Sequence, residues 1–162
     1  MKKSELILHP FPPIFDENSK VLILGSFPSI KSREANIYFG NPKNRFWYIL
    51  SKILNSPFPK TNQDKIELIE KNHIALWDVI SSCEIQGSSD SSIKNPNVND
   101  FDIITKVADI RAIFTLGKIA TKLFNKFTGQ TSIYLPSTSP ANCAINEEKL
   151  IKEFSQILKY LN

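Results

Sequence analysis

An apolar run with no polar member is too uniform for the exposed face of a surface helix. Val21-Leu22-Ile23-Leu24, ending at Gly25, is such a run. A strand with one wet face alternates apolar and polar side chains. A continuous run belongs to a strand covered on both faces, as in a parallel sheet. Ile74-Ala75-Leu76-Trp77, read on into Val79 and Ile80, repeats the pattern, as does Ala112-Ile113-Phe114-Thr115-Leu116. Residues 132–135 add a weaker strand. Helical signals fall between these runs. Phe46, Ile49, Leu50 and Ile53 recur at helical spacing over 45–54, with Asn44 placed to cap them. Thr61 with Asp64 reads as a capping box opening a helix to residue 71. Further helices are predicted over 99–107, 118–127 and from Asn146 onward, the last with Leu150, Ile151, Phe154, Ile157, Leu158 and Leu161 on one side. Strands alternating with helices imply an α/β fold, a three-layer α/β/α sandwich around a mostly parallel four-stranded sheet.

The chain of 162 residues is read as a single domain, 1–162, with 1–19 as an N-terminal strap broken by Pro10, Pro12 and Pro13. The formal charge of +4 is scattered, which suits a nucleic-acid partner and argues against a disordered basic arm. Cys83 and Cys143 belong to no CxxC pair and are read as small buried apolar residues. With His9 and His73 far apart, no metal and no cofactor are expected. Leu6-Ile7-Leu8 is too short for a signal peptide and no stretch approaches a membrane span, so a cytoplasmic protein is expected. No Gly-x-Gly-x-x-Gly or Walker pattern follows the first strand, and no Gly-x-Ser-x-Gly elbow is present.

In parallel sheets ligands bind beyond the carboxyl ends of the strands. The polar loops lie there: 25–29, the long serine-rich 81–98, and 135–142. A further loop over 32–39 leads into Phe39-Gly40-Asn41-Pro42-Lys43-Asn44-Arg45-Phe46-Trp47. That mixture of amides, turn formers and bulky rings suits a loop folded into a pocket. Gly25-Ser26-Phe27-Pro28-Ser29, Asn41 to Trp47, Leu135-Pro136-Ser137-Thr138-Ser139-Pro140-Ala141-Asn142 and the segment around Gly87, Ser88, Asp90 and Ser91 resemble the motifs of the uracil-DNA glycosylase superfamily. The match is closest to the branch of deoxyinosine, or hypoxanthine, DNA glycosylases.

The resemblance implies a monofunctional DNA glycosylase that hydrolyses the N-glycosidic bond of a deaminated base, hypoxanthine first, with uracil or xanthine as further substrates. The alternative is a non-catalytic module that binds damaged DNA or a nucleobase on the same fold. The partner is DNA containing a deaminated base, and the base must leave the stack to be reached. By the resemblance, Asn44 is the catalytic amide and Asn41 its runner-up. Phe39 stacks on the flipped base, with Phe27, Ser26, Gly25 and Leu116 around it. Ser137, Thr138, Ser139, Pro140, Ala141, Asn142 and Lys43 meet the DNA. Ser88, Asp90 and Ser91 line the pocket. Phe27 stands where many relatives carry Asp or Asn, and Leu135 where the strongest uracil enzymes carry His. Leu116 replaces the Asn expected before Gly117. Lys31 and Arg33 are further cations for DNA, and Arg45 is expected to pair internally.

Overall fold

The computed structural model describes residues 4–162. Its centre is β2 (Val21–Gly25), in which every residue is buried. β3 (Ile74–Asp78) pairs with it on one side and β6 (Ala112–Leu116) on the other, with β7 (Ile133–Leu135) beyond β6; all pairings are parallel. The order β3-β2-β6-β7 forms the expected four-stranded sheet. Each fully buried aliphatic side chain of β2 contributes roughly 1.5–3 kcal/mol, which is why an unbroken apolar run marks the middle of the sheet.

Helices α1 (Ile30–Ala35), α2 (Phe46–Ile53), α3 (Asn62–Lys71), α4 (Asp102–Thr105), α5 (Gly117–Thr128) and α6 (Glu147–Phe154) supply the outer layers, and a 3₁₀ segment, Ser155–Tyr160, follows α6. Phe46 packs edge-on against Trp47 and Phe154, while Trp77 and Phe124 both meet Phe101. Thr61 and Asp64 close the capping box, and Asn146 accepts the Lys149 N–H at 2.9 Å. No helix of the described residues is long and apolar enough to cross a membrane.

The structure corrects several sequence expectations. Residues 81–98 are not one loop. β4 (Ile80–Ile85) and β5 (Lys94–Val98) pair antiparallel, and β1 (Glu5–Leu8) pairs with β4 to complete a second sheet, so the strap is in part a strand. Ser81 and Ser82 read locally as turn formers, but the neighbouring strands satisfy their backbone and override that preference. β3 does not run on to Ile80: it stops at Asp78, and Val79 N–H reaches Gly25 O at 2.8 Å as the chain crosses to the second sheet. The expected loop at 32–39 begins as α1, capped by the Ser29 hydroxyl, and ends at Asn36 in the left-handed region. The helix over 99–107 shrinks to α4: Asn99 is drawn back to the end of β3, its Nδ2 donating to Asp78 O at 2.9 Å, while Asp100 Oδ1 accepts the Asp102 N–H at 3.0 Å. Cys83 is buried, but Cys143 is exposed.

Candidate active site

A cleft of about 970 Å³ opens at the carboxyl ends of the parallel strands, where Gly25, Asp78 and Leu116 end three adjacent strands. The connection after β2 runs outward to β3, and the one after its neighbour β6 runs the other way to β7. The cleft therefore lies at a topological switch point, where loops diverge and leave room for a ligand.

The segment 39–47 is built to present two side chains. Phe39 takes φ 53°, a left-handed conformation that costs on the order of 1 kcal/mol for a residue with a side chain. Its ring stacks on Phe46 at 4.1 Å and borders the cleft. Asn41-Pro42-Lys43-Asn44 is a β-turn closed by the Asn44 N–H on Asn41 O at 2.8 Å, and Asn41 Oδ1 accepts the Lys43 N–H. The turn delivers Asn44 to the cleft, where Oδ1 accepts the Phe46 N–H at 2.9 Å. The amide thus ties down the start of α2, and Oδ1 keeps a second lone pair. Asn41 also lines the cleft; Lys43 is exposed and is not among the lining residues.

Ser137, Thr138, Ser139, Pro140, Ala141 and Asn142 all line the opposite wall. The loop is self-bonded: Asn142 Nδ2 donates to Ser137 O at 2.9 Å, and the hydroxyls of Ser137 and Ser139 accept backbone N–H groups. Arg45 clamps it to the turn. Its guanidinium donates to Ile145 O at 2.7 Å and Asn142 O at 2.9 Å, and its N–H donates to Thr138 O at 3.2 Å. Arg45 does pair internally, through a loop nearly one hundred residues downstream. Pro140 and Ala141 stand exposed at the rim. Thr138 Oγ1 is buried with no hydrogen-bond partner among the described residues, an unspent donor at the wall of the cleft.

Gly25, Ser26, Phe27 and Leu116 form the floor, and Ser88, Asp90 and Ser91 the third side. Asp90 lies on an exposed 3₁₀ turn, with its carboxylate turned in to accept from the Ser26 hydroxyl at 2.9 Å. Crowding by the chain pushes its pKa up; the Ser26 bond opposes this and the Asp78 charge adds to it. Of the cations, Lys31 and Lys118 line the cleft. Arg33 is turned inward, bonding Pro28 O and Gly87 O and lying over the Phe27 ring.

One residue at the floor, and the histidine that backs it, escaped sequence reasoning. Asp78 lines the cleft although the residue is only 3% exposed, and its Oδ2 lies 2.7 Å from His9 Nε2. His9 is held by the Phe11 backbone and boxed by the rings of Phe11, Phe27 and Tyr38. Tyr38 donates its hydroxyl to Pro12 O at 2.9 Å; burial, and then the Asp78 charge, push its pKa far above the usual phenol range. A methyl group at Gly25 would lie 2.5 Å from Asp78 Oδ1 and 3.3 Å from the Phe39 ring, so only glycine fits there. A signal was present: one carboxylate interrupts the apolar stretch from Ile74 to Ile80. Among the described residues no group of His, Cys, Asp and Glu side chains could hold a metal ion.

Comparison with known proteins accounts for this arrangement. Residues 12–162 match the description of the Uracil DNA glycosylase superfamily. The chain belongs to that superfamily. A protein of Methanosarcina barkeri named hypoxanthine DNA glycosylase is 36% identical over 110 residues, covering 67% of this chain and 70% of the relative. One of Methanosarcina acetivorans with the same name is 34% identical over 141 residues, covering 85% and 89%. A solution structure from Methanosarcina acetivorans, named provisionally as a uracil DNA glycosylase, superposes with a TM-score of 0.76. Its identity is 31% and it covers 91% of this chain and 96% of its own. With this membership the chain is an enzyme of the DNA glycosylase class, and the cleft at the carboxyl ends of its strands is the candidate seat of that chemistry.

Proposed function

We propose that this glycosylase removes deaminated bases from DNA, hypoxanthine first, and that it acts where the DNA is, in the cytoplasm. The observation that carries the reading is the segment 39–47, which brings the Phe39 ring and the carboxamides of Asn44 and Asn41 to the same cleft. The base must be turned out of the helix to enter. Phe39 offers a face on which the extruded base stacks, an interaction worth about 1–3 kcal/mol per base. Asn44 holds a water beside C1′ through the lone pair of Oδ1 that its bond to the Phe46 N–H leaves free. Water then bonds to C1′, the bond to the base breaks with its electron pair on the base, and one water proton passes to solvent or base. The products are the free base and an abasic deoxyribose. Preorganised dipoles around the sugar cation and the departing base supply most of the acceleration in a site of this kind.

The opposite wall receives the backbone. The Ser137 and Ser139 hydroxyls, the unspent Thr138 hydroxyl and nearby N–H groups suit phosphate oxygens on either side of the extruded nucleotide. Pro140 and Ala141, exposed at the rim, are placed to enter the gap the base leaves. Lys31, Lys43 and Lys118 add salt-sensitive attraction. The deciding experiment uses excess protein with oligonucleotides carrying one deoxyinosine, deoxyuridine, deoxyxanthosine or normal base. Alkali-labile breaks at deoxyinosine are the expected result. A mobility shift with no breaks at any base would leave only binding.

A further inference from the structure

We propose that Asp90 is a further catalytic residue of this glycosylase: its carboxylate supplies the negative charge that faces the deoxyribose while the bond to the base breaks, with Ser26 as the positioning residue that aims it. The proposal rests on the glycosylase reading above and gives a chemical role to a residue that there only lines the cleft.

As the base departs with its electron pair, the sugar ring gains positive charge. A fixed anion beside the ring lowers that state relative to the bound substrate. Three carboxylates line the cleft, those of Glu34, Asp78 and Asp90. Glu34 is exposed on α1, and no hydrogen bond among the described residues turns it inward. Asp78 lies at the floor, with Oδ2 2.7 Å from His9 Nε2. Asp90 is the third, and its aim is built into the fold. The residue stands on an exposed turn, yet Oδ2 accepts the Ser26 hydroxyl at 2.9 Å. The loop that carries it is pinned on both sides. Ser88 Oγ accepts the Ile30 N–H at 2.8 Å, and Arg33 donates to Gly87 O. The Ser92 hydroxyl accepts the Gln86 N–H at 2.9 Å and donates to Ser89 O at 2.6 Å.

Asp90 and the Phe39 ring flank one turn. The ring comes within 3.3 Å of the point where a Gly25 side chain would begin, and the carboxylate holds the next residue, Ser26. The sugar is one bond from the base, so a base on Phe39 brings it within reach of that carboxylate. In a cleft that admits phosphates a carboxylate weakens binding. Its return comes in the chemical step, where the substrate turns cationic.

Only the ionised form acts. Burial raises the Asp90 pKa, the Ser26 bond pulls it down and the Asp78 charge pushes it up again. The other groups around it are His9 behind Asp78, Arg33 on the Gly87 carbonyl, Lys31 and Glu34 along the cleft, and the buried Cys83 thiol, whose own pKa responds to both Arg33 and Asp90. The net direction is upward, so Asp90 keeps its proton to a higher pH than a free aspartate. Excision therefore rises with pH through that titration.

The test follows single-turnover excision of deoxyinosine across the acid and neutral range. It also measures binding of duplexes with two uncleavable abasic analogues, a cationic pyrrolidine that mimics the charged sugar and a neutral tetrahydrofuran. Wild type should prefer the pyrrolidine by about 10-fold or more. Asp90→Asn should slow excision about 10- to 100-fold, lose the acid limb and lose the preference for the cation, while binding the neutral analogue more tightly. Ser26→Ala keeps the charge but not the bond that favours it, so its acid limb should move to higher pH. This variant carries the pH expectation by itself should melting curves show Asp90→Asn unfolded. A wild type that excises no deoxyinosine overturns the glycosylase reading and this inference with it. An active wild type without the preference for the cation overturns this inference alone. So does an Asp90→Asn protein that keeps the acid limb or the preference, however slow it is, or an acid limb that Ser26→Ala leaves in place.

Discussion

Replacing Arg45 tests whether the two walls of the cleft are one unit. Its guanidinium holds Ile145 O at 2.7 Å and Asn142 O at 2.9 Å, so Arg45→Ala deletes both bonds and leaves the backbone bond to Thr138 O. Hydrogen bonds to a charged donor contribute about 1.5–3 kcal/mol each when well sheltered. Arg45 is half-buried and the freed carbonyls can take water, so the lower end applies: about 2–3 kcal/mol for the pair. For a chain of this size that is a drop in Tm of roughly 4–12 °C. Arg45→Lys offers one compact ammonium in place of a planar fork and should lose about half as much. Differential scanning calorimetry gives the stability. Limited proteolysis of 136–146, with single-turnover excision alongside, gives the loop. Cleavage in that loop should quicken and excision should slow, although Arg45 touches no reacting atom. The clamp is refuted by an Arg45→Ala protein that melts within a degree of wild type and resists protease equally.

Asn44→Ala should slow excision by two or more powers of ten while DNA binding by mobility shift stays near wild type; the lost bond to the Phe46 N–H should also cost about 1 kcal/mol in a thermal melt. Wild-type rates in that variant remove Asn44 from the chemistry. Phe39→Ala should weaken capture of the extruded base, seen with 2-aminopurine fluorescence beside the lesion, by about 1–3 kcal/mol; an unchanged signal speaks against stacking. In the native protein a maleimide at neutral pH should label Cys143, which is exposed, and spare Cys83. Burial pushes the Cys83 thiol pKa up to about 11, against a smaller opposing pull from Arg33. Equal labelling of both before unfolding contradicts that packing.

The parallel sheet was legible because burial on two faces leaves a mark that needs no partner: Val21 to Leu24, Ile74 to Trp77 and Ala112 to Leu116 carry it in their own composition. The loops that reach the cleft were legible for a similar reason. Phe39 and Asn44 belong to a stretch that mixes rings, amides and turn formers, the segment Ser137 to Asn142 follows the fourth strand, and all of them line the cleft. The second sheet was not. β1, β4 and β5 pair through backbone groups that every sequence possesses, and their serines and Pro96 read locally as a loop. Nor can a sequence show that His9 lies 2.7 Å from Asp78, sixty-nine residues away, or that Arg45 spans one hundred residues to Ile145. Hydrophobic pattern is a local property, set by which faces water must not reach. Contact between distant polar groups depends on strand register and loop path, which only the folded chain decides.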